Sequence, residues 1–98
     1  MIYIALADDH VLLRQGLAQL INTFTDHKVL FEADNGKDLI QKLKPYALPE
    51  IILMDITMPE MDGYETTSWL KVNYPQIRVI ALSMIDDEAA VVRMLKCG

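Results

Sequence analysis

Four short and largely apolar runs, Ile2–Ala7, Lys28–Ala33, Ile51–Ile56 and Ile77–Leu82, recur along this sequence, and the segments between them change to a helical period. After the first run, Leu13, Leu17, Leu20, Ile21 and Phe24 fall at the spacing of one helix stripe from Val11 onward. Leu39, Ile40 and Leu43 mark a second helix, and Thr66, Leu70 and Tyr74 mark a third over Tyr64–Tyr74. A fourth helix is expected over Asp86–Cys97, with Asp86 or Asp87 as its cap and Gly98 at its end. Strand and helix therefore alternate. Parallel neighbours need a crossover, and strands apolar on both sides need covering on both faces. The pattern predicts a doubly wound α/β fold with a parallel sheet.

Local punctuation agrees with that reading. Asp8-Asp9-His10 stops the first strand, with Asp9 or His10 near the helix N-cap, and Thr25-Asp26-His27 ends the first helix. Asn35-Gly36 reads as a turn, Pro45 and Pro75 close the second and third helices, and Asp62-Gly63 reads as turn and N-cap. At 98 residues the chain is read as one domain, and its net charge of −5 argues against this segment binding DNA or an anionic membrane by itself. Cys97 has no second cysteine to pair with, and no apolar run approaches a membrane span. A cytoplasmic setting is expected.

Chemistry concentrates at the strand tips. Ile51-Ile52-Leu53-Met54 ends abruptly on Asp55, and a Pro59/Asp62/Gly63 turn follows. In open α/β sheets ligands sit beyond the carboxyl ends of the strands, so a lone acid there faces a ligand site. Asp8 and Asp9 follow the first strand, and Ser83 follows the fourth. With the first and third strands adjacent, as in the flavodoxin-like order, Asp8, Asp9 and Asp55 converge. Carboxylates in contact repel by on the order of a few kcal/mol in a partly screened site. A divalent cation relieves this, and an all-oxygen donor set suits Mg²⁺ or Mn²⁺. An Asp beside Mg²⁺ can also act as a phosphoryl-accepting nucleophile.

Structural alternatives stand beside each assignment. Asp8 and Asp9 alone are equally well read as helix caps, and Ser83 alone as a turn residue. His10 and His27 lack Cys or His partners at metal-binding spacing and read as surface or capping residues. Met58 and Met61 read as loop packing, and Trp69 lies off its helix's apolar stripe, as a packing or contact residue.

Ala7-Asp8-Asp9-His10, the run Leu53-Met54-Asp55-Ile56-Thr57-Met58-Pro59-Glu60-Met61-Asp62-Gly63 and Ala81-Leu82-Ser83 together resemble a receiver domain of a two-component response regulator. Arg14-Gln15-Gly16-Leu17 after the acidic pair looks most like the NarL/FixJ class, whose members usually carry a C-terminal helix-turn-helix DNA-binding domain. The resemblance implies a CheY-like sheet, here in the order 2-1-3-4, and a signalling switch rather than a turnover enzyme. It implies Asp55 as phospho-acceptor, Asp9 as direct Mg²⁺ ligand and Asp8 as its neighbour acting through water. Thr57 would complete the metal site through its backbone carbonyl. Ser83 would be the switch hydroxyl, and the Thr57 and Met84 side chains would tune phosphoryl lifetime. The implied donor is a sensor histidine kinase, with DNA bound only through an output domain.

The pattern also departs from the family. Receivers carry a Lys at a fifth strand tip, and after Ser83 this sequence offers only Lys96, inside the expected fourth helix. The expectation is a receiver spanning 1–98 that is incomplete at its C-terminus, with 77–82 a bare edge prone to pair with a second copy or exchange elements. Two other classes compete. A haloacid-dehalogenase-type phosphatase would need an acid where Thr57 stands, and an interaction module without phosphorylation would not need the acidic trio.

Overall fold

In the computed structural model, which describes residues 1–82, β1 (Ile2–Ala7), β2 (His27–Ala33), β3 (Ile51–Asp55) and β4 (Arg78–Leu82) form one sheet. Their order is β2-β1-β3-β4, and all three pairings are parallel. Helices α1 (Val11–Asn22), α2 (Gly36–Lys42) and α3 (Gly63–Asn73) make the crossovers. The expected order is met, and it sets Ala7 of β1 beside Met54 of β3, so the two acidic tips are neighbours. The expected fourth helix, Ser83, Met84 and Lys96 lie outside the described residues. Among the described residues no helix is long and apolar enough to cross a membrane.

Two apolar clusters hold the layers together. The larger joins Ala5, Ala7, Ile52 and Met54 of the sheet to Leu39 of α2 and Leu70 of α3. Each large side chain fully buried there contributes about 1.5–3 kcal/mol relative to exposure. The smaller cluster, Ile4 and Leu6 with Ala18 and Ile21, seats α1 on the opposite face. Alternation along β1 separates the two sets. Ile77, expected in the fourth strand, instead precedes β4 and belongs to the larger cluster.

The stripe expected on α1 needs correction. Leu20 and Phe24 are 54% and 51% exposed, Leu13 is exposed as well, and the buried face is Arg14, Ala18 and Ile21. The true face lies one position further along, a rotation of about 100°. Where β1 delivers the chain, rather than apolar count, sets which side meets the sheet. The helix also stops at Asn22, before Phe24, with Thr23 as its C-cap and the Thr23 hydroxyl donating to the Leu20 carbonyl at 2.6 Å.

Asn35-Gly36 is a helix start rather than a free turn. Asn35 is the N-cap of α2, and its Oδ1 accepts the Asp38 N–H at 2.8 Å. Gly36 is required by close approach: a Cβ there would collide with Thr66 Oγ1 and lie 2.8 Å from the Met61 carbonyl oxygen. In β2 the register shifts once. Ile4 pairs with Val29 and Ala5 with Phe31, so Leu30 is an extra residue. Val29 packs on the smaller cluster with Ile4, while Phe31 packs on the larger with Ala5.

Candidate functional site

The end of β1 turns Asp8 inward, leaving it 2% exposed. Its N–H donates to the Ala33 carbonyl at 3.1 Å, which ties it to the tip of β2. Its Oδ1 accepts the His10 backbone N–H at 2.8 Å and faces the His10 ring Nδ1 at 2.9 Å. That same Nδ1 lies 3.3 Å from Asp9 Oδ1 and 3.6 Å from Asp55 Oδ2. Candidate ligand atoms of Asp8, Asp9, His10 and Asp55 all fall within 4.8 Å of one another. The convergence expected of the three acids is therefore present. The capping alternative is not: His10 is the N-cap of α1 without a side-chain cap bond, and the first turn holds no acidic residue.

Electrostatics mark Asp55 as the costly member. Burial pushes its carboxyl above the usual Asp range, and the charge of Asp8 pushes it further. The backbone N–H of Thr57 acts in the opposite sense, Asp9 adds to the rise, and the Ile56 N–H again opposes it. Asp55 Oδ2 is buried with no hydrogen-bond partner. An orphaned buried acceptor costs free energy unless something electropositive meets it. A carboxylate trio with a free buried oxygen fits a hard divalent cation of the Mg²⁺ type. His10 meets the same field: its hydrogen bond with Asp8 raises its pKa first, then the charges of Asp8 and Asp9, against slight burial. Sequence reasoning placed His10 on the surface or at a helix cap. It is the N-cap of α1 with its side chain 64% exposed, yet Nδ1 points into the acids: Asp8 and Asp9 precede it in the chain, and pairing β1 with β3 adds Asp55.

Arg14 was also missed. It is 8% exposed, and its Nη1 donates to the carbonyls of Asp8 at 2.8 Å and Ala33 at 3.1 Å and to Asp34 Oδ1 at 2.6 Å. Its Nε donates to Glu32 Oε1 at 3.0 Å. Burial alone would lower its pKa, but Asp34 and Glu32 more than offset this. One guanidinium thus pins the backbone at the tips of β1 and β2 behind the acids. The available signal was spacing, since Arg14 falls in register with Ala18 and Ile21.

The loop after Asp55 is closed at both ends. Gly63 donates its N–H to the Ile56 carbonyl at 2.8 Å, and a Cβ on Gly63 would lie 2.5 Å from the Asp55 carbonyl oxygen. Asp62 Oδ1 accepts the Glu65 N–H at 2.9 Å, as expected of a cap. Met58 is buried and Met61 partly so, in agreement with loop packing. Thr57 is exposed. Trp69 packs against the larger cluster and Tyr74, with ring centroids 5.9 Å apart. His27 stands away from the acids, edge-on to Phe24 at 5.9 Å, with its Nδ1 buried and unpartnered.

Comparison with known proteins agrees with this geometry. The family model for the response regulator receiver domain matches residues 4–98. The transcriptional regulatory protein DegU of Brevibacillus brevis is 36% identical over 97 residues, covering 99% of this chain and 41% of that protein. The response regulator protein VraR of Staphylococcus epidermidis is 37% identical over 97 residues, covering 99% and 46%. The chain thus spans less than half the length of these relatives. Among solved structures, the response regulator domain of Thermotoga maritima CheB superposes with a TM-score of 0.89 at 30% identity, covering 100% of this chain and 73% of that one. The signal receiver domain of NarL from Mycobacterium tuberculosis gives 0.88 at 31% identity, covering 99% and 77%.

Proposed function

Because the chain belongs to the response regulator receiver domain family, we propose that residues 1–98 act as a receiver unit in which Asp55 accepts a phosphoryl group from a histidine kinase. The observation that carries this reading is Asp55 Oδ2, buried, without a hydrogen-bond partner and facing the other acids. In the transfer, an Asp55 oxygen attacks phosphorus, and the phosphorus–nitrogen bond of the donor phosphohistidine breaks. The electron pair leaves on the imidazole nitrogen, and an acyl phosphate forms on Asp55. Arg14 holds the β1 tip through the Asp8 carbonyl, so Asp8 and Asp9 keep their place opposite Asp55.

Asp8, Asp9 and Asp55 through carboxylates, and Thr57 through its carbonyl, would hold Mg²⁺. Bound there, the ion supplies charge neutralisation for the carboxylates and phosphoryl oxygens. Ser83, two elements away in sequence, is the hydroxyl assigned to sense the phosphoryl group. The protein's own contribution to forming and hydrolysing the acyl phosphate is modest, as suits a switch. Relationship to DegU and VraR supports a transcriptional output through a DNA-binding segment, with this acidic receiver itself not touching DNA.

Incubation with Mg²⁺ and acetyl phosphate is expected to give a hydroxylamine-sensitive phosphoryl adduct, read by intact mass. The adduct should require Mg²⁺ and vanish in Asp55→Asn. An adduct that survives that substitution would remove Asp55 from the role.

A further inference from the structure

We propose that His10 is a nitrogen ligand of this cation site, giving it a stronger preference for transition-metal dications such as Co²⁺ over Mg²⁺ than carboxylates alone would give. The proposal rests on the cation site described above and assigns His10 a part in it. The first observation is which ring atom points inward. Nδ1 lies 2.9, 3.3 and 3.6 Å from oxygens of Asp8, Asp9 and Asp55, so one nitrogen is near-equidistant from three independent carboxylates. With metal–ligand bonds of about 2.1 Å, neighbouring donors in an octahedral shell stand about 3.0 Å apart, and about 3.4 Å apart in a tetrahedral one. The separations at His10 have that size. A ring placed only to form an ion pair needs proximity to one carboxylate, not to three.

The second observation is that helix α1 does not use this side chain. The His10 side chain is 64% exposed and makes no cap bond to α1, and the turn at Asp8 is held by the His10 backbone N–H. The third is the orphaned oxygen of Asp55, buried and facing the same point. Coordination through Nδ1 exchanges the ring proton for the ion, which leaves with solvent. Imidazole nitrogen favours borderline ions such as Co²⁺, Ni²⁺ and Zn²⁺, whereas Mg²⁺ prefers oxygen. The consequence is selectivity: His10 strengthens binding of the former and adds little to the latter. The opposing role is that of an imidazolium counter-ion at the rim, which would oppose every divalent cation alike.

Competition titrations of Co²⁺ against Mg²⁺ on the full chain, with wild type, His10→Ala and His10→Gln, separate these roles. The expected result is that both variants lower the Co²⁺:Mg²⁺ affinity ratio by about tenfold or more, with Mg²⁺ affinity little changed. Pulsed EPR of the Mn²⁺-loaded protein should show a directly coordinated nitrogen in wild type and none in either variant. An unchanged ratio, equal tightening of both metals, or no nitrogen coupling in wild type would overturn the assignment of His10. The underlying site is checked separately by Asp9→Asn, which should weaken Mg²⁺ whatever His10 does. Wild-type protein that binds no divalent cation would overturn both readings.

Discussion

Asp38 and Asp55 are two carboxylates near the same end of the sheet, and their proton affinities are displaced in opposite directions. Asp38 Oδ2 accepts the Asp34 backbone N–H at 3.0 Å and pairs with Lys42 Nζ at 3.1 Å. That backbone bond, with help from Lys42 and against partial burial, holds Asp38 below the usual carboxylate range. Asp55 is buried beside Asp8 and is held above it. A carboxylate spent on local amides stabilises the fold, whereas one kept among like charges is retained at a cost. The direction of the shift therefore sets Asp38, held by the fold, apart from Asp55 at the site.

Substitutions can sharpen or break that division. The largest effect is expected at Arg14, which serves the fold and the site together. Arg14→Ala strips four hydrogen bonds and leaves the Asp8 carbonyl underserved, for a loss of about 3 kcal/mol in urea unfolding. A loss within 0.5 kcal/mol, roughly the size of an ordinary surface change, would mean the network is decorative. A matched pair follows, with opposite signs. Asp62→Ala removes the α3 cap and should cost about 1 kcal/mol, while Asp55→Asn removes a repelling buried charge and should gain about 1 kcal/mol. Thermal melts in metal-free buffer read both, and equal signs would erase the distinction.

The smallest effect is in acid. Because the folded pKa of Asp38 is depressed, its contribution is present above the unfolded value of about 3.9 and is lost as pH falls through the folded one. Asp38→Asn should flatten the stability loss in that window by a few tenths of a kcal/mol, since the pair is partly solvent-screened. An acid limb that is unchanged would remove Asp38 from the structural set.

Periodicity carried the architecture because strands apolar on both sides and stripes at helical spacing leave few packings. The convergence of Asp8, Asp9 and Asp55 was legible for a related reason: an abrupt acid ending the apolar run at Asp55 has few structural uses, and adjacency of β1 and β3 follows from the strand order. What escaped depended on three-dimensional placement. The buried face of α1 is set by how β1 hands over the chain, so the stripe was read one residue early and Arg14 was passed over. His10 stands beside Asp8 and Asp9 in the sequence, but nothing there brings in Asp55, which reaches its ring only once β1 pairs with β3. Asn35-Gly36 resembled a turn because the contact that demands glycine comes from α3, thirty residues away.

The extra residue at Leu30 has an evolutionary consequence. The shift between Ile4 and Ala5 lets β2 change length by one without moving Ala33, the residue whose carbonyl receives both Asp8 and Arg14. Elsewhere in the sheet a single insertion or deletion would turn every later side chain onto the wrong face. Here the outer strand carries slack, so drift in chain length can accumulate at the periphery while the spacing of the acidic tips stays fixed.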